Sequence, residues 1–295
     1  MIKDLIREGW GYHDTESERL ADELEGADLD VWQGDEPAQC LMLANHTIGE
    51  HLGDWARARR FAEAVHGAGP GSGSPGVGVH LAVARYMDDA PIAAQGAEVD
   101  AVQAADDPLA AYLSVKSSLA RALAGSGRCA DAGLVIRAAN RLAGSLAESR
   151  ASDRGMAVAN NNLASELVES ENLDAEESRL MLDCAEAAHT FWKRCGTWVN
   201  EERALYLLAL VHNRAGDHGR AIGFANAALD LIAANGEQPV DEAFIRLAAA
   251  TAHTVRAEEA SAARCLAEAD ELAGSWTDQS HIDWYRSERA KVSVP

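Results

Sequence analysis

The sequence predicts an all-α protein, an α-solenoid of about six helical hairpins with a short helix before them and a capping helix after them. The main observation is a pair of apolar or small residues that recurs six times along the 295 residues. The spacings between successive pairs are 36, 38, 44, 45 and 39 residues, which is typical of helical hairpin repeats. The pairs are Leu81-Ala82, Leu119-Ala120, Leu163-Ala164, Leu208-Ala209 and Leu247-Ala248, with Asn45-His46 as a degenerate first copy.

A second observation is a small residue at fixed distances after each pair. Two helices whose axes approach within roughly 8–10 Å need small side chains where their backbones meet. In the fourth copy Glu176 takes this position, with Ala175 one residue earlier. In the others, the residues 13 positions on are Ala58, Ala94, Ala132, Ala221 and Ala260, and those 20 positions on are Ala101, Ala139, Ala228 and Ala267.

This pattern of pairs and small residues resembles the tetratricopeptide repeat (TPR), in which a leucine and a small residue in helix A precede a turn and two alanines in helix B. The run Asn161-Asn162-Leu163-Ala164, with its longer spacing, is similar to the kinesin-light-chain subtype. The segment GWGYHDTESERLADEL resembles the start of a loose group of bacterial TPR proteins. The resemblance covers about residues 38–274 and implies a right-handed α-solenoid with a concave groove. The implied turn positions are Gly53, Asp89, Gly127, Glu171, Gly216 and Val255.

We expect three segments: an N-terminal helix and connection at 1–37, the solenoid at 38–274 and a capping helix at 275–295. The first helix is predicted to begin at Thr15, which starts a capping box ahead of Leu20, and to end near Gly26. The stretch 67–78 is predicted to be a flexible linker because it is rich in glycine. It is not a phosphate loop, because it lacks the lysine that such a loop requires. The aromatic residues after position 275 favour a cap over the last repeat, or alternatively a helix that docks on a partner.

The composition excludes several classes of protein. A formal net charge of −21 argues against nucleic-acid binding, which requires a basic face. The acidic surface could instead steer a basic partner, or simply be solvated. We expect no membrane span and no signal peptide, and the five scattered cysteines suit a reducing compartment, so the sequence predicts a cytoplasmic protein.

The predicted function is a non-catalytic scaffold that binds a protein or peptide in the groove. We expect Asn161 and Asn213 to bind the main chain of the partner, and Arg203 or Arg214 to bind an acidic group. Together with Arg121, the two arginines would form a local basic island in the groove. The alternative is that these side chains face water or pair with acidic neighbours. The predicted groove residues are Glu50, His51, Tyr86, Ser117, Arg121, Asn161, Ser165, Arg203, Tyr206, Asn213 and Arg214.

No catalytic, cofactor or metal site is predicted. His13-Asp14 alone is weak evidence of a metal phosphohydrolase, and five residues on an α-helix would place His46 and His51 about 140° apart around the axis. We therefore expect these two histidines not to share a metal. Two other functions stay open: a ligand- or peptide-sensing regulatory module, and an enzyme with a site that the sequence does not reveal. The sequence does not identify the partner or the oligomeric state.

Overall fold

The computed structural model describes residues 2–29, 32, 34–68, 71, 73–147 and 150–292, with the side chain of residue 150 left out. Over these residues it contains fifteen α-helices and no strand, which confirms the predicted all-α class. The chain divides into two compact units, Met1–Ala147 and Glu148–Pro295. The boundary between them falls inside the segment predicted as one solenoid, 38–274.

Unit 1, Met1–Ala147, is built from successive helical hairpins. The pairs α5/α6 and α7/α8 form antiparallel neighbours, and α5 also packs against α4 and α7, so the hairpins stack in chain order. A π-helical segment, Asn45–His51, continues α3 without a break. The helices are α1 Ile2–Gly9, α2 Ser17–Glu25, α3 Glu36–Ala44, α4 Trp55–Gly67, α5 Pro75–Met87, α6 Pro91–Ala104, α7 Pro108–Gly125 and α8 Cys129–Ser145.

Unit 2, Glu148–Pro295, repeats the same arrangement. Three hairpins, α9/α10, α11/α12 and α13/α14, pack in chain order, and α11 contacts α9, α10 and α13. A last helix, α15, packs against α13. The helices are α9 Arg150–Val168, α10 Ala175–Cys195, α11 Trp198–Arg214, α12 His218–Asn235, α13 Pro239–Val255, α14 Glu259–Gly274 and α15 Gln279–Lys291.

The predicted turns are confirmed in four repeats. Gly53, Asp89, Gly127 and Gly216 all have positive φ angles, between 48° and 79°, at the end of a first helix. Glycine adopts this left-handed conformation without the steric cost that other residues incur. The following helix is capped in two of these turns by an aspartate side chain, since Asp54 and Asp217 accept backbone N–H groups.

The sixth repeat is displaced by two residues from its prediction. The left-handed turn residue is Ala257, with φ 56°, and not Val255. Ala260 and Ala267 are exposed. The buried small residues of α14 are instead Ala262 and Ala269, at 1% and 0% exposure. The residue 13 positions before Ala262 is Ala249, so the repeat pair is Ala249-Ala250, and both residues are buried. The sequence analysis placed the pair at Leu247-Ala248 because the other clear copies begin with leucine.

The fourth repeat contains an insertion at its turn. Ala175 and Glu176 are both exposed at the start of α10, so the predicted close contact does not occur there. The closely packed positions are Met181, Ala185 and Ala188, all at 0% exposure. Their spacing matches Ala221, Ala225 and Ala228 of the fifth repeat, but they come five residues later relative to the Leu-Ala pair.

The prediction that the first helix begins at Thr15 was wrong. An earlier helix, α1, precedes the one predicted at Thr15, and α2 begins at Ser17 without a side-chain cap. The Ser17 hydroxyl instead donates to the carbonyl of His13. In the stretch predicted as a linker, 67–78, Gly67 ends α4 and Pro75 begins α5, because Ser74 caps that helix. Residues 69, 70 and 72 of this stretch lie outside the described residues.

None of the described helices is both long enough and apolar enough to cross a lipid bilayer.

Candidate functional site

The predicted groove residues of unit 2 gather along two clefts that share Tyr206 and Leu210 of α11. The clefts have volumes of about 560 and 380 Å³, respectively. Ligand sites in proteins typically measure about 300–1,000 Å³. Six predicted residues line these clefts: Asn161, Ser165, Arg203, Tyr206, Asn213 and Arg214.

The larger cleft, which we call cleft A, is lined by α9, α11, α13, α15 and the residue preceding α13. Its apolar surface comes from Leu207, Leu210, Val240 and Trp284. Its polar surface comes from Asn161, Ser165, Arg203, Tyr206, Gln238, Asp241 and His281. An apolar surface with a few polar groups is the usual composition of a binding site.

Three polar side chains in cleft A have unused hydrogen-bonding capacity. Asn161 and Ser165 are half-buried and four residues apart, so they lie on one face of α9. Among the described residues, neither side chain makes a hydrogen bond, and the Tyr206 hydroxyl makes none either. Burial raises the pKa of Tyr206, which keeps its hydroxyl protonated and able to donate. These groups can therefore bind main-chain amides of a ligand.

The charge of Arg203 is already compensated. Its guanidinium forms an ion pair with Asp241 of α13 at 2.9 Å. The adjacent Glu202 is completely buried, and burial followed by repulsion from Asp241 raises its pKa to about 8. Glu202 is therefore protonated at neutral pH. The positive charge of Arg203 is therefore balanced by Asp241 in this part of cleft A.

In the smaller cleft, cleft B, the two predicted binding residues are engaged within the protein. The Asn213 amide nitrogen donates to the Ala248 carbonyl at 2.8 Å. The Arg214 guanidinium donates to the carbonyls of Ser170 and Glu171 at 2.5 and 2.6 Å. The Asn213 bond joins α11 to α13, and the Arg214 bonds hold the turn between α9 and α10 against α11. Backbone carbonyls are partners that the sequence analysis did not consider for these two side chains.

Helix α15 forms one side of both clefts, which the sequence analysis did not foresee. The Trp284 ring packs at a tilt of 30° against Phe244 of α13, with centroids 4.0 Å apart. The buried Tyr285 donates to Asp270 of α14 at 2.7 Å. The same helix contributes His281 to cleft A and Glu288 and Lys291 to cleft B. The aromatic residues after position 275 predicted that this helix packs on the last repeat, but not which of its polar residues would face the groove.

The five predicted groove residues of unit 1 do not form a comparable cleft. The Tyr86 hydroxyl donates to Glu98 at 2.7 Å, and Ser117 donates to the carbonyl of Leu113 within its own helix. Glu50 and Arg121 line a cleft of about 60 Å³, which is too small for an extended peptide. His51 belongs to a group of histidines.

The expectation that His46 and His51 lie on different helix faces was wrong. Their Nε2 atoms are 3.2 Å apart, and His13 approaches both rings. The reason is the π-helical segment Asn45–His51, in which the N–H of Leu52 bonds to the carbonyl of Thr47, five residues earlier. Residues five apart then lie on one face. Nothing in the local sequence distinguished this winding from an α-helix.

The chain was compared with known proteins. No family model matches it, and no curated protein matches it. Among solved structures it is similar to BtubC (BKLC) from P. vanneervenii, at 15% identity and a TM-score of 0.46, over 90% of this chain and 95% of that one. It is also similar to the apo form of RapI, at 10% identity and a TM-score of 0.43, over 99% and 81% of the two chains. Likenesses of this degree contribute nothing to the functional argument.

Proposed function

We propose that the protein is a non-catalytic scaffold that binds a peptide or protein segment in cleft A. The observation that carries the proposal is the set of three half-buried polar groups on Asn161, Ser165 and Tyr206, which have no hydrogen-bond partner among the described residues. They line a cleft of about 560 Å³ beside apolar side chains. Such groups lose free energy when they are shielded from water without a partner, and a bound main chain would supply donors and acceptors.

The chemistry of cleft A favours a segment with apolar side chains and little charge. Leu207, Leu210 and Trp284 offer apolar contact. An acidic ligand group would have to displace Asp241 from Arg203, which costs an existing ion pair. We therefore propose main-chain recognition at Asn161 and Ser165, with apolar side chains of the partner against α11 and α15.

Because the natural partner is not identified, the test uses a randomised peptide library. Peptides are selected on the full-length protein, and their dissociation constants are measured by fluorescence anisotropy. We expect the double variant Asn161→Ala/Ser165→Ala to bind the selected peptides about 5- to 150-fold more weakly than the wild type, since two hydrogen bonds of about 0.5–1.5 kcal/mol each are lost.

The matched control is Asn162→Ala. Asn162 is the neighbouring residue of the same helix and is exposed outside cleft A, so its removal should leave affinity unchanged. Equal helical content, measured by circular dichroism, shows that the variants are folded. Equal affinity of the double variant and the wild type, or failure of the library to yield any binding peptide, would contradict the proposal.

A further inference from the structure

Three histidine side chains converge in unit 1 at a place that the scaffold function does not use. They are His13, which follows α1, and His46 and His51 of the π-helical segment. One ring nitrogen from each lies within 4.8 Å of those of the other two. We call this group the histidine cluster. His13 and His46 are half-buried and His51 is exposed, so the cluster opens to solvent on one side.

The hydrogen bonds around the cluster fix which ring nitrogens face its centre. His13 Nδ1 lies 2.9 Å from the Trp10 carbonyl, and His46 Nδ1 lies 2.5 Å from a carboxylate oxygen of Glu50. A carbonyl or carboxylate oxygen only accepts, so both Nδ1 atoms carry the proton when the rings are neutral. The Nε2 atoms of His13 and His46 therefore have free lone pairs.

This pattern is the one that surrounds metal-binding histidines. A histidine ligand nearly always donates its other ring N–H to a carboxylate or a backbone carbonyl, which orients the ring and makes it a better ligand. Both kinds of acceptor are present, in Glu50 and in the carbonyl of Trp10. The Trp10 ring also stacks on His46, with centroids 5.5 Å apart, and meets His13 edge-on at 5.3 Å. The rings are thus held in place by packing as well as by hydrogen bonds.

The distances suit a tetrahedral ion. Bonds of about 2.0–2.1 Å from zinc to nitrogen at tetrahedral angles place two ligand nitrogens about 3.3 Å apart. The Nε2 atoms of His46 and His51 are already 3.2 Å apart. The three ring nitrogens all lie within 4.8 Å of one another, so side-chain shifts of at most about 1.5 Å bring them to this spacing.

The protonation of His51 is compatible with this role. Without a metal, His51 Nε2 carries the proton and donates to the lone pair of His46 Nε2. When an ion binds, the His51 proton moves to Nδ1 and its Nε2 becomes a ligand.

We propose that His13, His46 and His51 form a binding site for a divalent transition-metal ion, with zinc as the best-suited ion. Three imidazole ligands select zinc, copper or nickel over magnesium and calcium, which require oxygen ligands. The exposed side of the cluster leaves a fourth position for water or for a side chain of a partner. Glu50 acts as a positioning residue through its hydrogen bond to His46.

The test is a zinc titration of the metal-free, full-length protein in competition with a chromophoric chelator. We expect one zinc ion per chain, with affinity at least tenfold lower in each of the variants His13→Gln, His46→Gln and His51→Gln. The positioning variant Glu50→Gln should weaken binding by about 10- to 100-fold. The control His66→Gln changes an exposed histidine of α4 outside the cluster and should bind zinc as the wild type does.

A second measurement keeps the test independent of folding defects. Cobalt added to the wild type should give the intense visible absorption of a four- or five-coordinate ion, and His51→Gln should lose it. His51 is exposed, so this variant is expected to keep the wild-type circular dichroism spectrum. Absence of a single tight zinc site in the wild type, or equal zinc affinity of the wild type and a folded His51→Gln variant, would overturn the proposal and leave the cluster as a hydrogen-bonded group of histidines.

Discussion

His46 and His51 are five residues apart in the sequence, yet their Nε2 atoms are 3.2 Å apart. The π-helical winding of Asn45–His51 brings them together. Gly49 belongs to this segment and packs against the ring of Trp55. A Cβ atom on Gly49 would be 2.5 Å from that ring. The segment Asn45–His51 thus provides both the glycine that Trp55 approaches and two histidines of the cluster.

The variant Gly49→Ala should destabilise the protein. The added methyl group would overlap Trp55, which is buried and bonded to Ser126, so we expect a loss of about 1–3 kcal/mol in the free energy of unfolding. Urea denaturation measures the loss. The control is Gly96→Ala in α6, where a Cβ atom meets nothing within 4 Å, and alanine there should be neutral or stabilising by up to about 1 kcal/mol. Equal effects of the two variants would show that Gly49 is not closely packed.

Glu202 should contribute a loss of stability as pH rises from about 5 to 8. Its pKa is raised from an ordinary 4.5 to about 8, so in this range the folded state holds a proton that the unfolded state has released. Each pH unit then lowers the free energy of unfolding by up to about 1.4 kcal/mol.

The variant Glu202→Gln should remove this pH dependence and be about 2–3 kcal/mol more stable than the wild type at pH 7. Urea denaturation at pH 5, 6, 7 and 8 measures the difference. Glu271→Gln, at an exposed position of α14, is the control for the general loss of one negative charge. A pH dependence in Glu202→Gln as steep as that of the wild type would contradict the account.

The displaced sixth repeat predicts different effects of substitution at Ala262 and Ala260, two alanines of α14. Ala262 is 1% exposed, so Ala262→Leu should cost about 1–3 kcal/mol of the free energy of unfolding. Ala260 is exposed, and Ala260→Leu should stay within about 0.5 kcal/mol of the wild type. Urea denaturation compares them. The reverse order would restore the repeat positions expected from Leu247.

Two tyrosines of unit 2 should respond differently to loss of the hydroxyl group. Tyr285→Phe removes the 2.7 Å bond to Asp270 and should cost about 1 kcal/mol. The hydroxyl of Tyr206 has no partner among the described residues, so Tyr206→Phe should leave stability unchanged. We expect Tyr206→Phe instead to weaken binding of peptides selected on the wild type. A stability loss in Tyr206→Phe as large as that in Tyr285→Phe would mean that its hydroxyl is used within the fold.

Much of the fold could be predicted from the sequence, because small residues at fixed spacings indicate where two helices pack closely. Ala94, Ala132 and Ala221 are all fully buried, as predicted. The pattern misplaced the sixth repeat, because it required a leucine at the first position of the pair, where Ala249 is buried equally well. It missed the insertion before α10, because a longer turn leaves the composition of both helices unchanged.

The candidate site was predictable only in part. The spacing of Asn161, Ser165 and Tyr206 placed them toward one groove, and the structure brings them to one cleft. The bonds of Asn213 and Arg214 depend on neighbouring helices, which no local pattern specifies. The histidine cluster depends on a change from α-helical to π-helical winding. The sequence analysis assumed an α-helix and therefore placed His46 and His51 on different faces, although they lie side by side.

Site-specific photo-crosslinking tests the central claim, that cleft A holds a peptide, most directly. A photoreactive amino acid is placed at Ser165, inside cleft A, or at Asn162, on the exposed face of the same helix, and the full-length protein is irradiated with a peptide selected from the library. We predict that the peptide becomes attached at position 165 and not at position 162. Equal attachment at both positions, or attachment at position 162 alone, would contradict the assignment of cleft A as the binding site.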